Sequence, residues 1–269
     1  VQHAVKKLTA KRIVPKLIII LVGENPASLS YIRQKEKAAA RTGIASETMH
    51  LSANVTTKKL VALIETLNCS RSVHGILVQL PLPKHIEAPL VMRAIDPQKD
   101  VDGFGAYNLG KMLLSQDFEH LAPCTPSGII KLLEYYKISP AGKHVVVVGR
   151  SNIVGKPVAL MLLNRDATVT VCHSKTKNLS SHTKQADILI AAVGQPNMIT
   201  ADMVKKGAVV IDVGVTRVEN ALAGDVDFER VKRKAAWITP VPGGVGPMTV
   251  ACLMENVVRA AKRIKKNNL

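Results

Sequence analysis

Tyr31 and Lys35 are the pair of residues whose types and spacing most directly suggest chemistry. They lie four positions apart in the segment 28–42, whose pattern predicts a helix, so both side chains project from one helical face. A lysine transfers protons near neutral pH only where burial or neighbouring charges alter its pKa. The pair therefore suggests proton-transfer chemistry, although an exposed lysine on a basic helix would show the same spacing.

Three further segments carry polar or flexible groups at the ends of predicted strands and helices. Gln79 places an amide at the end of a strand-like run, and Asp100 and Asp102 offer two carboxylates beside a glycine. Residues 240–249 form a proline- and glycine-rich loop before the last predicted helix, and such a loop lets backbone approach a ligand closely. Each segment alone fits ordinary turn chemistry, but together with the tyrosine–lysine helix they indicate a site.

A glycine-containing loop follows the predicted strand 144–148, which ends in four consecutive valines. The loop reads Gly149-Arg150-Ser151-Asn152-Ile153-Val154-Gly155-Lys156-Pro157. A turn of this kind between strand and helix exposes backbone N–H groups and a helix N-terminus to a phosphate. Five residues separate its two glycines, so it matches neither G-x-G-x-x-G nor the P-loop. It fits a nucleotide site and an ordinary turn equally well.

The residues after the next predicted strand indicate which nucleotide would bind. The strand runs into Cys172-His173-Ser174-Lys175, without the carboxylate that accepts from the ribose 2′-hydroxyl in NAD-binding domains. Arg150, Ser174 and Lys175 are hydrogen-bond donors, which suits a 2′-phosphate. We therefore predict NADP rather than NAD.

The remaining motifs exclude several classes of protein and site. Short-chain dehydrogenases also use Tyr-x-x-x-Lys, but there the pair follows the glycine loop, whereas here it precedes the loop by more than 100 residues. The four cysteines form no C-x-x-C, and the eight histidines form no H-E-x-x-H cluster, so we expect no metal site. The cysteines fit a reducing compartment, which favours a cytoplasmic protein.

The composition predicts a globular protein with excess basic charge. The 269 residues are 47% hydrophobic and carry a net charge of +17, which excludes a disordered chain. No apolar run reaches the ~18 residues that span a bilayer, and no signal peptide is recognised, although the basic N-terminus is compatible with a removed targeting segment. Residues 1–43 and 259–269 are the most basic. A solvated face explains them as well as an anionic ligand does, and with few aromatic residues we expect no nucleic-acid partner.

Strand-like runs alternate with helical patterns, which predicts an α/β fold with parallel sheets. A boundary between two domains is expected near residue 123, followed by a helix that ends at residue 136. Thr125 would be its N-cap and Pro126 its first residue. The predicted strands are 17–22, 75–80, 144–148, 168–172, 188–193, 208–213 and 237–239, the other predicted helices are 28–42, 58–67, 154–164 and 247–265, and 97–121 is irregular.

Six motifs occur in order along nearly the whole chain. They are Pro26-Ala27-Ser28 leading into Tyr31 and Lys35, Val78-Gln79-Leu80-Pro81, Asp100-Val101-Asp102-Gly103, Pro123-Cys124-Thr125-Pro126, Gly149-Arg150-Ser151 and Pro242–Thr249. Together they resemble the bifunctional methylenetetrahydrofolate dehydrogenase/cyclohydrolase family, for which the last motif is highly specific. Members of that family usually begin with a further segment, so we expect one before the position of Val1.

The resemblance implies a fold of two α/β domains and two successive reactions. A folate-binding catalytic domain would comprise residues 1–122 plus 247–269, with the C-terminal helix returning to it, and a Rossmann-type NADP-binding domain would comprise 123–246. In the first reaction 5,10-methylenetetrahydrofolate gives hydride to NADP⁺ and forms 5,10-methenyltetrahydrofolate. In the second, water opens this product to 10-formyltetrahydrofolate. The reactions belong to one-carbon metabolism, which serves purine biosynthesis.

The resemblance also implies the roles of individual residues. Lys35 would catalyse the hydrolysis with Gln79 in contact with it, Tyr31 would stack on the folate, and Asp102 would hold the pteridine. NADP would be held by Gly149, Arg150, Ser151, Ser174 and Val215, with Arg150 and Ser174 on the 2′-phosphate. The folate would contact Tyr31, Lys35, Val78, Gln79, Leu80, Asp102, Pro242, Gly243, Gly244 and Val245.

The resemblance implies partners as well. We expect a homodimer through the Rossmann domain and tetrahydrofolate substrates, which often carry several glutamates that a basic rim would attract. The alternative interpretation is a related NAD(P) oxidoreductase that acts on another substrate and lacks the hydrolase step.

Overall fold

The computed structural model describes residues 1–219 and 221–266, without the side chains at positions 27 and 264–266. The chain forms two compact α/β units. Unit 1 comprises Val1–Lys111, Asp117–Cys124 and the described residues from Val250 onward, and unit 2 comprises Met112–Gln116 and Thr125–Thr249. The domain ranges expected from the sequence stay a prediction, and residues 267–269 of the first range lie outside the described residues.

Unit 1 is built on a three-stranded parallel sheet. Its central strand β1 (Lys16–Val22) pairs with β2 (Ala45–Leu51) on one side and β3 (Gly75–Val78) on the other. Alternate residues of β1 enter two different hydrophobic clusters, Leu17, Ile19 and Leu21 in one and Ile18, Ile20 and Val22 in the other. Both faces of the sheet are therefore covered, which explains why β1 is a continuous apolar run.

Unit 2 is built on a five-stranded parallel sheet. Its strands are β4 (His144–Val148), β5 (Thr168–Cys172), β6 (Ile188–Ala191), β7 (Val209–Asp212) and β10 (Trp237–Ile238), and they lie in the order β10-β7-β6-β4-β5. A separate antiparallel pair is formed by β8 (Thr216–Val218) and β9 (Ala221–Ala223). All four valines of β4 are buried, because the strand lies between β5 and β6. This is the environment that a run of valines predicts.

Helices of very different lengths accompany these strands. They are α1 (Gln2–Thr9), α2 (Pro26–Thr42), α3 (Thr57–Cys69), α4 (Ala88–Ala94), α5 (Ala106–Met112), α6 (Cys124–Tyr135), α7 (Gly155–Leu163), α8 (Leu179–Thr183), α9 (Phe228–Val231) and α10 (Val245–Lys266). Short 3₁₀ helices lie at Gln116–Phe118 and Ala201–Met203. Within the described ranges, no helix combines the length and hydrophobicity that a membrane crossing requires.

Helices α2 and α10 contain parts of two of the sequence motifs. Helix α2 begins where Asn25 Oδ1 accepts the Ser28 N–H at 3.1 Å, and it ends at Gly43, whose φ of 77° is left-handed. From Val250 onward α10 belongs to unit 1, where Leu253 and Val257 pack into the same cluster as Leu17 of β1. The predicted two-domain α/β fold, with the last helix returning to the first domain, is confirmed.

The structure also departs from the sequence-based expectation at several elements. Strand β2 and helices α1, α4 and α5 lie where none was predicted. Strand β2 is an edge strand that is mostly half-exposed, so it lacks the apolar run of a central strand. The prediction of Thr125 as an N-cap is wrong, because α6 already begins at Cys124. The Thr125 hydroxyl instead shares a hydrogen bond of 3.0 Å with the Thr249 hydroxyl.

Candidate active site

Lys35 and Gln79 meet in unit 1 at the carboxyl end of its parallel sheet. Lys35 lies on α2, which follows β1, and Gln79 follows the last residue of β3. The Lys35 Nζ donates a hydrogen bond to Gln79 Oε1 at 2.9 Å, and both residues are only 9% exposed. The carboxyl ends of parallel strands are where open α/β sheets bind ligands. The contact predicted between these two residues is therefore present in a setting suited to a ligand.

The amide of Gln79 is held in one orientation. Its Nε2 donates to the Leu80 carbonyl oxygen at 2.7 Å, which directs Oε1 toward the Lys35 ammonium. The Gln79 backbone N–H donates to the Ile20 carbonyl oxygen at 2.9 Å and extends the pairing of β1 with β3. Val78 is buried and Leu80 is half-buried. The sheet thus fixes the acceptor that the ammonium group contacts.

Tyr31 lies one turn before Lys35 on α2. Its ring is 40% exposed, and partial burial raises the pKa of its phenol. The phenol is therefore neutral at physiological pH. An exposed aromatic face beside a fixed ammonium group can stack on a planar ring, which is the contact expected of Tyr31.

The carboxylates of Asp100 and Asp102 have different surroundings. Asp100 is buried and accepts hydrogen bonds from the Gly103 N–H at 3.0 Å, the Gly105 N–H at 2.8 Å and Asn108 Nδ2 at 2.9 Å. These bonds hold the turn. Asp102 is only partly buried and lies close enough to Lys35 for the two charges to interact. Asp102 is therefore the carboxylate available to a ligand.

The surroundings of Asp102 act on the pKa of its carboxyl in both directions, and the net change is a rise. Burial raises the pKa of the Asp102 carboxyl, and the negative charge of Asp100 raises it further. The Lys35 ammonium and a hydrogen bond with the Cys124 thiol act in the opposite direction. Burial and the Asp102 charge in turn raise the pKa of Cys124 well above its usual value. The thiol therefore stays protonated.

Cys124 and Asn256 support this part of unit 1, and neither was predicted to belong to the site. Cys124 is buried, and its thiol donates to the Val101 carbonyl oxygen at 3.3 Å. Asn256 Nδ2, on α10, donates to the carbonyl oxygens of Val101 at 2.9 Å and Ala122 at 3.0 Å. The sequence shows only an asparagine in a basic helix. The partners of its amide lie more than 100 residues away in the chain, so the sequence does not indicate this role.

The glycine loop of unit 2 is shaped by close backbone contacts. The Gly149 N–H donates to the Cys172 carbonyl oxygen at 2.8 Å, so the loop after β4 lies beside the end of β5. Gly149 has a φ of 127°, and a Cβ on it would lie 2.9 Å from the Ala192 carbonyl carbon. The Ser151 hydroxyl accepts from the N–H groups of Val154 at 3.1 Å and Gly155 at 3.2 Å. Ser151 therefore orders the start of α7.

Three exposed donors lie at the ends of these two neighbouring strands. Arg150 follows β4, Ser174 and Lys175 follow β5, and all three are exposed. Since Val148 pairs with Cys172, the two groups of donors leave the sheet at the same edge. The donor set carries positive charge and no carboxylate, so it fits the 2′-phosphate of NADP.

The other predicted ligand residues of unit 2 lie in loops or at the start of α10. Val215 is 39% exposed between β7 and β8. Pro242 and Gly243 are exposed, Gly244 is half-buried, and Val245 is buried as the first residue of α10. Gly243 has a φ of 105°, which a residue with a side chain rarely adopts. Among the described residues, no group of three or more His, Cys, Asp or Glu side chains could hold a metal ion.

Comparisons with known proteins match both units. Residues 1–102 match the model of the tetrahydrofolate dehydrogenase/cyclohydrolase catalytic domain, and residues 123–265 match that of its NAD(P)-binding domain. The bifunctional protein FolD of Bacillus pumilus is 56% identical over 260 residues, which cover 96% of this chain and 91% of the relative.

Solved structures agree with these matches. The bifunctional enzyme FolD from Campylobacter jejuni has a TM-score of 0.95 at 52% identity, covering 97% of this chain and 93% of that one. The Trypanosoma brucei N5,N10-methylenetetrahydrofolate dehydrogenase-cyclohydrolase, solved with NADP cofactor and inhibitor, has a TM-score of 0.94 at 40% identity, covering 97% and 92%. The chain belongs to the tetrahydrofolate dehydrogenase/cyclohydrolase family.

Proposed function

We propose that this protein oxidises 5,10-methylenetetrahydrofolate to 5,10-methenyltetrahydrofolate with NADP⁺ and then hydrolyses that product to 10-formyltetrahydrofolate. The observation that carries the proposal is the hydrogen bond of 2.9 Å between Lys35 Nζ and Gln79 Oε1 at the end of a parallel sheet. A solvated lysine would not be held in this way. The enzyme therefore acts in one-carbon folate metabolism.

Hydrolysis is the step that needs a proton-transferring group. Water attacks the methenyl carbon and loses a proton, and the bond from that carbon to N5 then breaks with its electron pair going to N5. As the ring opens, the new hydroxyl group loses its own proton to form the formyl carbonyl and N5 takes up a proton. Two protons are therefore released and one is taken up, so the net release is one proton. Lys35 carries out these transfers. Gln79 holds the Lys35 amine in place, and Asp102 supplies a nearby carboxyl group that can hold the pteridine.

Oxidation depends on positioning rather than on acid–base chemistry. The folate nitrogen lone pair assists the departing hydride, and NADP⁺, when bound, accepts that hydride. The chain's task is to bind and orient the reactants. Gly149 allows a tight turn after β4, Ser151 orders the start of α7, and Arg150 and Ser174 provide the donors for the 2′-phosphate.

The test follows the methenyl intermediate by its absorbance. With NADP⁺ and 5,10-methylenetetrahydrofolate, the wild-type protein is expected to form the intermediate and then convert it to 10-formyltetrahydrofolate faster than the spontaneous reaction does. Starting from purified methenyltetrahydrofolate, Lys35→Met is expected to lower the rate of hydrolysis by about 100-fold or more, the usual contribution of acid–base catalysis.

Lys37→Met is the matched control, because Lys37 is an exposed lysine on the same helix. It is expected to hydrolyse methenyltetrahydrofolate at the wild-type rate. Unchanged hydrolysis in Lys35→Met would remove Lys35 from the mechanism. A wild-type protein that accumulates methenyltetrahydrofolate without converting it would support the alternative of an oxidoreductase without the hydrolase step.

The compartment, the substrate tail and the assembly state belong to the same proposal. The cytoplasm suits a chain whose four cysteines are thiols, and a polyglutamylated folate suits its net charge of +17. A homodimer is supported by β5, which pairs only with β4 within the described part of the chain. Sedimentation analysis of the purified protein tests the homodimer, and a monomer at micromolar concentration would contradict it.

A further inference from the structure

Asp212 and Asp225 are two buried carboxylates in unit 2 to which the proposed chemistry gives no role. Asp212 is 3% exposed and Asp225 is fully buried. An ionised carboxylate is unfavourable in the interior unless hydrogen-bond donors or opposite charges compensate for the lost water. The partners of these two side chains therefore indicate what the fold uses them for.

Asp225 binds three successive backbone N–H groups. Its carboxylate accepts from Val193 at 2.6 Å, from Gly194 at 3.1 Å and from Gln195 at 2.8 Å. These residues follow β6 at the carboxyl edge of the sheet. The carboxylate thus occupies a concave arrangement of backbone donors of the kind that binds anions, and it fixes the course of that loop.

Asp212, the last residue of β7, fixes the segment that carries Asp225. Its carboxylate accepts from the backbone N–H groups of Asp225 and Val226, both at 2.9 Å. The backbone of Asp212 is held as well, because its N–H donates to the Thr239 hydroxyl at 2.8 Å. Consecutive hydrogen bonds to these two carboxylates therefore join the end of β7, residues 225–226 and the loop after β6.

The backbone closes directly on both carboxylates. A Cβ at Gly214 would overlap the carboxylate of Asp225, and a Cβ at Gly224 would overlap that of Asp212. The segment between Gly214 and Gly224 contains Val215 and the β8–β9 pair. It is bonded to the loop after β6, because Thr216 Oγ1 donates to the Gly194 carbonyl oxygen at 3.2 Å.

The loop that Asp225 fixes also supports the glycine loop. Gly149 packs so closely on Ala192 that a Cβ would lie 2.9 Å from the Ala192 carbonyl carbon. Ala192 is the residue before Val193, whose N–H binds Asp225. A displacement of the backbone at 192–195 would therefore change the space available to the loop that carries Arg150.

We propose that Asp225 and Asp212 are positioning residues for the dinucleotide, which hold the loops after β6 and β7 in the arrangement that NADP requires. The inference rests on the proposed function, since it names what these loops bind. Neither carboxylate touches the dinucleotide in this scheme, because backbone N–H groups occupy both of them. Their loss weakens dinucleotide binding and leaves the proton-transfer residues of unit 1 unchanged.

The test replaces Asp225 with asparagine and measures NADP⁺ binding by calorimetry. The substitution keeps the size of the side chain, but its amide NH₂ must face at least one of three N–H donors. The dissociation constant for NADP⁺ is expected to rise at least about tenfold, the effect of losing one hydrogen bond to a charged group. The dissociation constant for NAD⁺ is expected to rise by the same factor, because the 2′-phosphate site is not altered directly.

Two measurements keep this effect apart from general unfolding. Methenyltetrahydrofolate hydrolysis without NADP⁺ reports on unit 1, and Asp225→Asn is expected to retain it. Asp187→Asn is the matched control, because Asp187 precedes β6 at the other end of the sheet and accepts from the His144 N–H at 2.9 Å. It is expected to bind NADP⁺ as the wild type does.

Wild-type NADP⁺ affinity in an Asp225→Asn protein that still hydrolyses methenyltetrahydrofolate would overturn the proposal. If Asp225→Asn does not fold, Thr216→Val decides, since it removes only the bond to the Gly194 carbonyl. A twofold to fivefold weaker affinity for NADP⁺, as expected for one neutral hydrogen bond of about 0.5–1 kcal/mol, supports the proposal, and unchanged affinity overturns it. A wild-type protein that binds no NADP⁺ would instead contradict the proposed function itself.

Discussion

We propose that the preference between NADP⁺ and NAD⁺ depends on Arg150. It is exposed at the end of β4, beside two further donors at the end of β5, and a guanidinium binds a phosphate through two parallel hydrogen bonds. NAD⁺ lacks the 2′-phosphate. We expect Arg150→Ala to raise the KM for NADP⁺ by about 10-fold to 100-fold and to change the KM for NAD⁺ by less than about twofold.

Steady-state oxidation of methylenetetrahydrofolate with each dinucleotide measures this difference. Arg233→Ala is the control of equal charge, because Arg233 is an exposed arginine elsewhere in unit 2. It is expected to leave both KM values unchanged. Equal increases for NADP⁺ and NAD⁺ in Arg150→Ala would contradict recognition of the 2′-phosphate.

Asp212 makes the stability of the protein depend on pH in a direction opposite to that of most carboxylates. Burial raises the pKa of its carboxyl from 3.8 to about 6 in the folded protein. The folded state therefore binds the proton more tightly than the unfolded state does. The stabilisation is fully present below pH 3.8 and is lost as the pH rises through about 6.

The measurement compares wild type with Asp212→Asn, which has no titrating group at this position. The difference between their free energies of unfolding is expected to change by about 2 kcal/mol from pH 4 to pH 7, to the disadvantage of the wild type, since each pKa unit corresponds to about 1.4 kcal/mol and part of the effect lies below pH 4. Taking the difference cancels the other titrating groups. Parallel pH profiles of the two proteins would show that Asp212 does not titrate in this way.

The sequence predicts some of these residues and not others, for a physical reason. Lys35 and Tyr31 could be predicted because their spacing on a helix is local. Apart from the family resemblance, which pointed to Asp102, the residue types and spacing of Asp100 and Asp102 could not distinguish them, since only the folded turn shows which carboxylate binds the N–H groups of Gly103 and Gly105. Asp225 was not predicted at all, because its donors lie 30 to 32 residues before it in the chain.

At the scale of elements, predictability follows burial. Strands β1 and β4 are buried on both faces and appear in the sequence as continuous apolar runs. Strand β2, at the edge of its sheet, is mostly half-exposed and gives no such signal. Short helices such as α4 and α5, with seven residues each, span about two turns. They bury too few side chains for a helical repeat of apolar residues to be recognised in the sequence.

Helix α10 is bonded through Asn256 to the segment of unit 1 that carries Asp102. The Asn256 amide donates to the buried carbonyl oxygens of Val101 and Ala122, on either side of the turn that carries Asp102. Asn256→Ala leaves both carbonyls without this donor. We expect the free energy of unfolding to fall by about 2–3 kcal/mol and the KM for methylenetetrahydrofolate to rise, because Asp102 loses its support.

Urea denaturation and steady-state kinetics check both effects. Lys262→Ala is the control, since Lys262 is exposed on the same helix and its loss is expected to change neither value. A destabilised Asn256→Ala protein with an unchanged KM would mean that the helix supports the fold of unit 1 but not the position of Asp102.

At the scale of the whole molecule, one rule of α/β architecture operates twice. In unit 1, Lys35 and Gln79 lie at the carboxyl end of a parallel sheet, and in unit 2, Gly149, Arg150 and Ser174 lie at the carboxyl end of another. Loops at such edges expose backbone donors and side chains to a ligand, while the strands beneath them stay buried. In the proposed function, proton transfer and dinucleotide binding are thus assigned to residues of separate sheets.

The net charge of +17 is also a property of the whole molecule. Positive charge attracts a polyanionic substrate over distances that salt shortens, from a screening length of about 10 Å at 0.1 M to about 3 Å at 1 M. We expect salt to lower kcat/KM for polyglutamylated methenyltetrahydrofolate several-fold over this range and to affect the monoglutamate much less. The hydrolysis assay is the suitable measurement, because it needs no NADP⁺, whose own charge would add a second salt effect. Equal salt dependence for the two substrates would show that the excess basic charge does not attract the glutamate tail. It would favour the interpretation of the basic sequence in 1–43 and 259–269 as a solvated face.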